Sequence, residues 1–401
     1  MRRRVMVGLG LTAALLLVGS ARGASQERLP TNPVAGAQIF IEKGCVLCHA
    51  IRGEGGSIGP DLGRVELNHS LLEVAGIMWS HSPRMNEKLR ELRAIRPILT
   101  PQEMGDLIAF LYFLNYFGQT GDPKVGEDLF AKKGCQRCHR VGGAGGRVGP
   151  PLDSYKQYVS PIFIARALWN HGPEMKAAMK RHGVKRPEFA GNDLSHILAY
   201  IQTASTALVE RRYVAPGNPQ RGREVFKAKG CLGCHAIRGR GGRVGPDLGQ
   251  IDRLRGSLTQ IAGTMWNHGP KMWDAMRQRK ITPPELTVEE MNDLVTYLYF
   301  LQYMDEPGDT KVGRALFSEK GCVQCHSLRA REEGKIFLGG REIRAALASP
   351  IAVVTAMWNH ASQMEMVAEA RRIVWPRFEG HEMADIVAYV LSGVGQPQGG
   401  P

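Results

Sequence analysis

All eight cysteines of this 401-residue chain fall in four pairs, each followed directly by a histidine. They read Cys45-Val-Leu-Cys48-His49, Cys135-Gln-Arg-Cys138-His139, Cys231-Leu-Gly-Cys234-His235 and Cys322-Val-Gln-Cys325-His326. Two thiols three residues apart fit one short helical turn, with the imidazole beside whatever they hold. This is the spacing of covalent haem attachment. The thiols add to the two haem vinyl groups, and the histidine becomes an axial iron ligand. A zinc site would have to gather four ligands from two distant pairs. A redox dithiol would not need a histidine after its second cysteine four times out of four. Four haem c groups are therefore expected, held by these eight cysteines with His49, His139, His235 and His326 as proximal ligands.

The elements that must carry these motifs repeat with them. The four histidines are separated by 90, 96 and 91 residues. Clusters of Gly, Asn, Asp and Pro open the units near Asn32, Gly121, Gly217 and Gly308, which is linker chemistry. A short helical segment follows, with an aromatic four residues beyond a glycine: Gly36/Phe40, Gly126/Phe130, Gly222/Phe226 and Gly313/Phe317. Each unit ends in apolar residues at helical spacing, near 104–114, 194–202, 291–301 and 383–391, with Phe110, Tyr200, Tyr297 or Tyr389 at one shared place. Met104, Met291 and Met383 lie on that stripe and read as core. The pattern predicts an all-α chain of four small domains over residues 30–118, 121–206, 217–304 and 308–393, with no strand pattern and a flexible tail at 394–401. Domains this small have marginal cores by themselves, and a large apolar cofactor would supply buried surface.

All four units resemble the class I cytochrome c family, on the glycine and aromatic of the first helix, the Cys-x-x-Cys-His, a Gly-rich loop and the aromatic of the last helix. The resemblance implies that first and last helices cross at those glycines and aromatics. The loop reads Gly59-Pro60-Asp61-Leu62, Gly149-Pro150-Pro151-Leu152 and Gly245-Pro246-Asp247-Leu248. The resemblance also implies that the proline carbonyl accepts the Nδ1–H of the proximal histidine, orienting the ring. Repeat 4 departs, with Phe337-Leu338-Gly339-Gly340 and no proline.

A second block recurs, its histidine and a methionine four residues beyond lying 32 to 38 residues after each proximal histidine: Met78-Trp79-Ser80-His81, Leu168-Trp169-Asn170-His171, Met265-Trp266-Asn267-His268 and Met357-Trp358-Asn359-His360. The residue before tryptophan fails as a shared sixth ligand because repeat 2 has Leu168. Pro83, Pro173 and Pro270 predict that the tryptophan helix ends near the histidine and that the methionine starts the next segment. The family places its distal methionine just there, so Met85, Met175, Met272 and Met364 are the expected sixth ligands. His81, His171, His268 and His360 are the alternative, giving bis-histidine haems. The tryptophans are expected against the haem edge, and His69, His182, His196 and His381 at the surface.

The first residues address the compartment. Arg2, Arg3 and Arg4 precede an apolar run of 14 residues, Val5 to Val18, and small residues follow. This is a signal peptide, residues 1–24, cleaved after Ala21, Gly23 or Ala24. The run is too short to span a bilayer, so the mature chain is expected in the periplasm with no transmembrane segment. Residues 1–24 hold four arginines and no acid, so the formal charge falls from +14 to +10 on cleavage. Residues 121–216 carry +7 of it, with Lys132, Lys133, Arg137 and Arg140 around the second motif. A basic excess confined to one quarter of an exported protein argues against nucleic acid. It points to acidic redox partner proteins docking at domain 2. With two protein ligands per iron, the expected role is electron carriage and not enzyme catalysis. The alternative is a multihaem oxidoreductase, of peroxidase or oxyanion-reductase type, with the haem of the irregular repeat 4 open to substrate.

Overall fold

The computed structural model describes residues 32–65, 69–116, 118, 120–157, 160–205, 217–250, 256–328, 331–340, 343, 347 and 349–395. The expected signal peptide and residues 396–401 lie outside the described residues. One set of elements recurs around each Cys motif. The linker polar residues become helix caps: Asn32, Asp122, Asn218 and Asp309 accept backbone N–H groups at the starts of α1 (Pro33–Glu42), α4 (Pro123–Lys132), α8 (Pro219–Ala228) and α11 (Thr310–Glu319). The apolar stripes form α3 (Pro101–Phe113), α7 (Asp193–Ala204), α10 (Val288–Leu301) and α13 (Glu382–Gly395). The last of these continues to Gly395, into the segment expected to be tail.

First and last helices cross where the glycines sit. A Cβ on Gly36, Gly126, Gly222 or Gly313 would stand 1.9 Å from the carbonyl oxygen of Asp106, His196, Asp293 or Asp385 respectively. The aromatics meet one turn on, Phe40 with Phe110 at 5.5 Å and Phe226 with Tyr297 at 5.8 Å between ring centroids. Met104, Met291 and Met383 are fully buried on these stripes, as the spacing predicts.

Two expectations are corrected. Short ladders do occur: antiparallel pairs at Ala50↔Gly55, Arg140↔Gly145 and Ala236↔Gly241, and a parallel pair at His326↔Ile336. At two residues per strand they leave no periodicity to read. The middle helices also ignore their prolines in two repeats. Helices α2 (Leu71–Glu91) and α9 (Leu258–Gln278) run through Pro83 and Pro270, and α12 (Pro350–Ala370) is likewise continuous. Only repeat 2 among them breaks, into α5 (Ile162–Asn170) and α6 (Gly172–Arg181). A proline frees the carbonyl four residues earlier. Here the freed carbonyls are taken by other repeats, that of Trp79 by the Trp375 indole N–H and that of Trp266 by the Arg186 guanidinium.

The repeats do not pack in chain order. Repeat 1 lies on repeat 4, and repeat 2 on repeat 3. The Trp helices make both contacts, and the recurring tryptophan of each repeat donates its indole N–H to a proline carbonyl of the opposite repeat. Trp79 bonds Pro376 at 2.9 Å and Trp358 bonds Pro97 at 2.9 Å. Trp169 bonds Pro284 and Trp266 bonds Pro187, both at 2.8 Å. The tryptophans thus clamp repeats together. Asn170, Asn267 and Asn359 use both amide groups on the backbone of Leu286, Phe189 and Leu99, and Ser80 bonds Phe378 in the fourth place. Arg96 and Arg186 stack on Trp358 and Trp266 at 3.9 and 3.8 Å, and burial pulls both guanidiniums down to about 10.

Repeats 1 and 3 join the two pairs at the centre. Tyr112 and Tyr303 stack at 3.9 Å, and Tyr299 donates to the Tyr112 carbonyl. Two backbone bonds exchange across the contact, Leu71 N–H to Tyr303 and Leu258 N–H to Tyr116. That exchange makes the contact isologous, about a pseudo-two-fold axis that maps repeat 1 on 3 and repeat 2 on 4. The order in space is 4–1–3–2.

Candidate haem sites

The cysteines of each motif sit on a single 3-10 turn, over Cys45–Leu47, Cys135–Arg137, Cys231–Gly233 and Cys322–Gln324. Gly44, Gly134, Gly230 and Gly321 introduce the turns in the left-handed region, with φ between 77° and 80°. The lysine before that glycine anchors the turn. Lys43, Lys133, Lys229 and Lys320 donate to the carbonyls of Ile98, Glu188, Glu285 and Arg377. Each also pairs, at 2.7–2.9 Å, with the acid opening the last helix: Glu103, Asp193, Glu290 or Glu382. Lys133 is therefore engaged within the fold of repeat 2, and Lys132 faces Asp128 at 3.7 Å.

The proximal imidazoles are held in a fixed tautomer. His49, His139 and His235 place Nδ1 at 3.1, 2.9 and 3.0 Å from the carbonyls of Pro60, Pro150 and Pro246. In each, Nδ1–H donates to that carbonyl, which leaves Nε2 as the nitrogen for a metal. The ring lies on a glycine in each case: a Cβ on Gly59, Gly149 or Gly245 would stand 2.4 Å from it. Asp61 and Asp247 tie the loop down through the N–H groups of Arg52, Gly53 and Gly63, and of Arg238, Gly239 and Gly249. Burial alone would raise both carboxyls, but these donors outweigh it and hold them below the usual range. Repeat 4 is different. Its Ile336 and Leu338 N–H groups bond Cys325 and Ser327, and His326 Nδ1 is buried with no hydrogen-bond partner among the described residues. Burial, then His360 nearby, lowers the basicity of His326.

Burial pushes the first thiol of every motif up, to about 11 for Cys135, Cys231 and Cys322. All eight cysteines are free and part-buried. Paired thiols on one turn and an oriented imidazole with Nε2 unengaged fit a covalently attached haem.

On the middle helix, the histidine and the methionine four residues on share one face. His81, His268 and His360 turn Nδ1 back to the carbonyls of Ile77, Thr264 and Ala356 at 2.7, 2.9 and 2.8 Å. His171, at the break between α5 and α6, has Glu174 at 3.9 Å instead. Met85, Met175, Met272 and Met364 are half-buried.

The cytochrome c family model matches residues 33–114 and 219–302, the first and third repeats. Those two repeats are domains of the cytochrome c family. Domains of this family hold covalent haem c with its iron, and haem-based electron transfer is their chemistry. The cytochrome is also similar to the cytochrome c oxidase subunit 2 of Alkalihalophilus pseudofirmus, 31% identical over 92 residues, 21% of this chain and 26% of that protein. The chain thus spans about a quarter of that relative's length. No solved structure matches the cytochrome. Among its described residues no helix is long and apolar enough to cross a membrane.

Sequence reasoning missed the lysine anchors, although Lys-Gly-Cys recurs four times. It also placed His196 at the surface. His196 is half-buried and accepts the Asp122 N–H at 2.8 Å, doing for α4 what Asp293 and Asp385 do for the starts of repeats 3 and 4.

Proposed function

We propose that the cytochrome is an exported, periplasmic electron carrier with four haem c groups, one per Cys motif. What supports this is the recurrence, in every repeat, of a Cys-x-x-Cys-His turn together with a half-buried methionine four residues beyond the histidine of the tryptophan block. Each iron then has two protein ligands, and the bound haem supplies reversible one-electron exchange. Met85, Met175, Met272 and Met364 are the proposed sixth ligands, because the thioether occupies one place in all four repeats. A specific observation favours a second reading for repeats 1, 3 and 4. Their histidines already hold Nδ1–H on a carbonyl, which leaves Nε2 ready for a metal. The contacts between repeats favour electron passage in the order 2–3–1–4 or its reverse.

The test is spectroscopic. Met272→Ala should turn one haem high-spin and open it to carbon monoxide, whereas His268→Ala should leave ligation unchanged. The opposite result selects histidine ligation. Mass spectrometry of the extracted protein should show four haem additions, and fewer would refute the count. Fast carbon monoxide binding by the unaltered protein would select the oxidoreductase reading with an open haem in repeat 4.

A further inference from the structure

A groove runs between repeats 1 and 4 beside the fourth Cys motif. Its walls carry Arg84 from α2 and Lys320, Arg371, Arg372 and Arg377 from repeat 4, against a single carboxylate, Glu319. Lys320 is engaged with Glu382, and Arg371 lies against the motif itself, 3.3 Å from the Gln324 carbonyl and 3.6 Å from Cys325 Sγ. Arg84, Arg372 and Arg377 are exposed, and no described residue pairs with them. Amid these guanidiniums stands Val374, 87% exposed. An apolar centre inside a charged rim is the anatomy of a protein interface.

In repeats 1 and 2 the loop carries a cation that is used in the clamp. Arg96 and Arg186 are stacked on tryptophans, whereas repeat 4 has Trp375 at that place, itself stacked on Trp79 at 4.3 Å. The arginines around Trp375 are left facing outward, at an end of the 4–1–3–2 array.

We propose that this groove is the docking port for an acidic redox protein, which meets the fourth Cys motif across Arg371. The proposal rests on the reading that repeat 4 carries a haem. A concave site one side chain from the attachment turn suits a protruding carboxylate-rich surface, and like-signed charge around it would steer such a partner.

The test uses the full mature cytochrome and reduced flavodoxin, an acidic one-electron donor, as the probe. In stopped flow at low salt, Arg84→Glu with Arg377→Glu should slow haem reduction at least tenfold and flatten its salt dependence, with haem spectra unchanged. Lys132→Glu with Arg137→Glu, on repeat 2, should alter the rate less than twofold. Equal rates for the groove variant and the parent would overturn the proposal, as would an equal loss from the repeat 2 variant. Binding of phosphatidylglycerol vesicles that the groove variant loses, with its flavodoxin rate unchanged, would replace the protein partner with a membrane. Peptide mapping that finds no haem on Cys322 and Cys325 would instead overturn the reading beneath it, and flavodoxin binding measured by anisotropy reports the groove independently of that result.

Discussion

At the scale of residues, the proximal histidines show how much positioning one glycine can do. The imidazole of His235 lies against Gly245 while its Nδ1 faces the neighbouring Pro246 carbonyl. Gly245→Ala puts a methyl group 2.4 Å from the ring. The haem should stay attached, since both thiols are untouched, but lose its proximal bond. The expected result is unchanged haem mass with one haem high-spin in the absorption spectrum. Unaltered spectra would show that the ring has room to move. The loop aspartates set a pH dependence. Asp61 and Asp247 are held below the ordinary carboxylate range in the fold. A group whose folded value is depressed stabilises the fold above that range, and the contribution is lost as pH falls through the folded value. Thermal melting should therefore be level near neutrality and drop below the ordinary carboxylate range. Asp247→Asn should flatten that drop.

At the scale of elements, the helix crossing and the lysine anchor hold each repeat closed. Gly222→Ala would drive a methyl into the Asp293 carbonyl, and the cost should be about 3 kcal/mol or more, read as a lowered denaturation midpoint. Lys229→Met removes a part-buried ion pair with Glu290 and a bond to the Glu285 carbonyl. A loss of about 1–2 kcal/mol is expected. The crossing was legible through the family resemblance, which rests on a glycine and an aromatic one turn apart. The Cys turns and the fourfold frame were legible in the sequence itself. The prolines of α2 and α9 were misleading for a physical reason. A proline ends a helix when its freed carbonyl has nowhere to go, and here Trp375 and Arg186 arrive from other repeats. Nothing near Pro83 in the chain announces a side chain almost 300 residues away.

At the scale of the molecule, the same distance explains why the clamping role of the tryptophans was not legible in the sequence. An indole that recurs beside a ligand suggests the cofactor, and only the assembled repeats reveal a proline carbonyl opposite it. The pairing predicts how the chain responds to shortening. A chain ending at residue 307 should leave Trp79 without Pro376 and α2 without α12. Hydrogen exchange in α2 should then rise at least tenfold, while α5, which packs on repeat 3, keeps its protection. Uniform exchange in both helices would mean that the repeats fold as independent beads.

The pseudo-two-fold axis has a further consequence. Take repeats 1 and 2 as one half of the chain and repeats 3 and 4 as the other. The clamp of 1 on 4 and the clamp of 3 on 2 are then one contact made twice, and both times it joins different halves. This is the connectivity of a domain-swapped homodimer whose two subunits have been fused end to end. A protein comprising residues 32–205 alone would keep the tryptophan faces of both its repeats and lose both their partners. Its own repeat 2 would be the nearest substitute for repeat 4, offered most readily by a second copy.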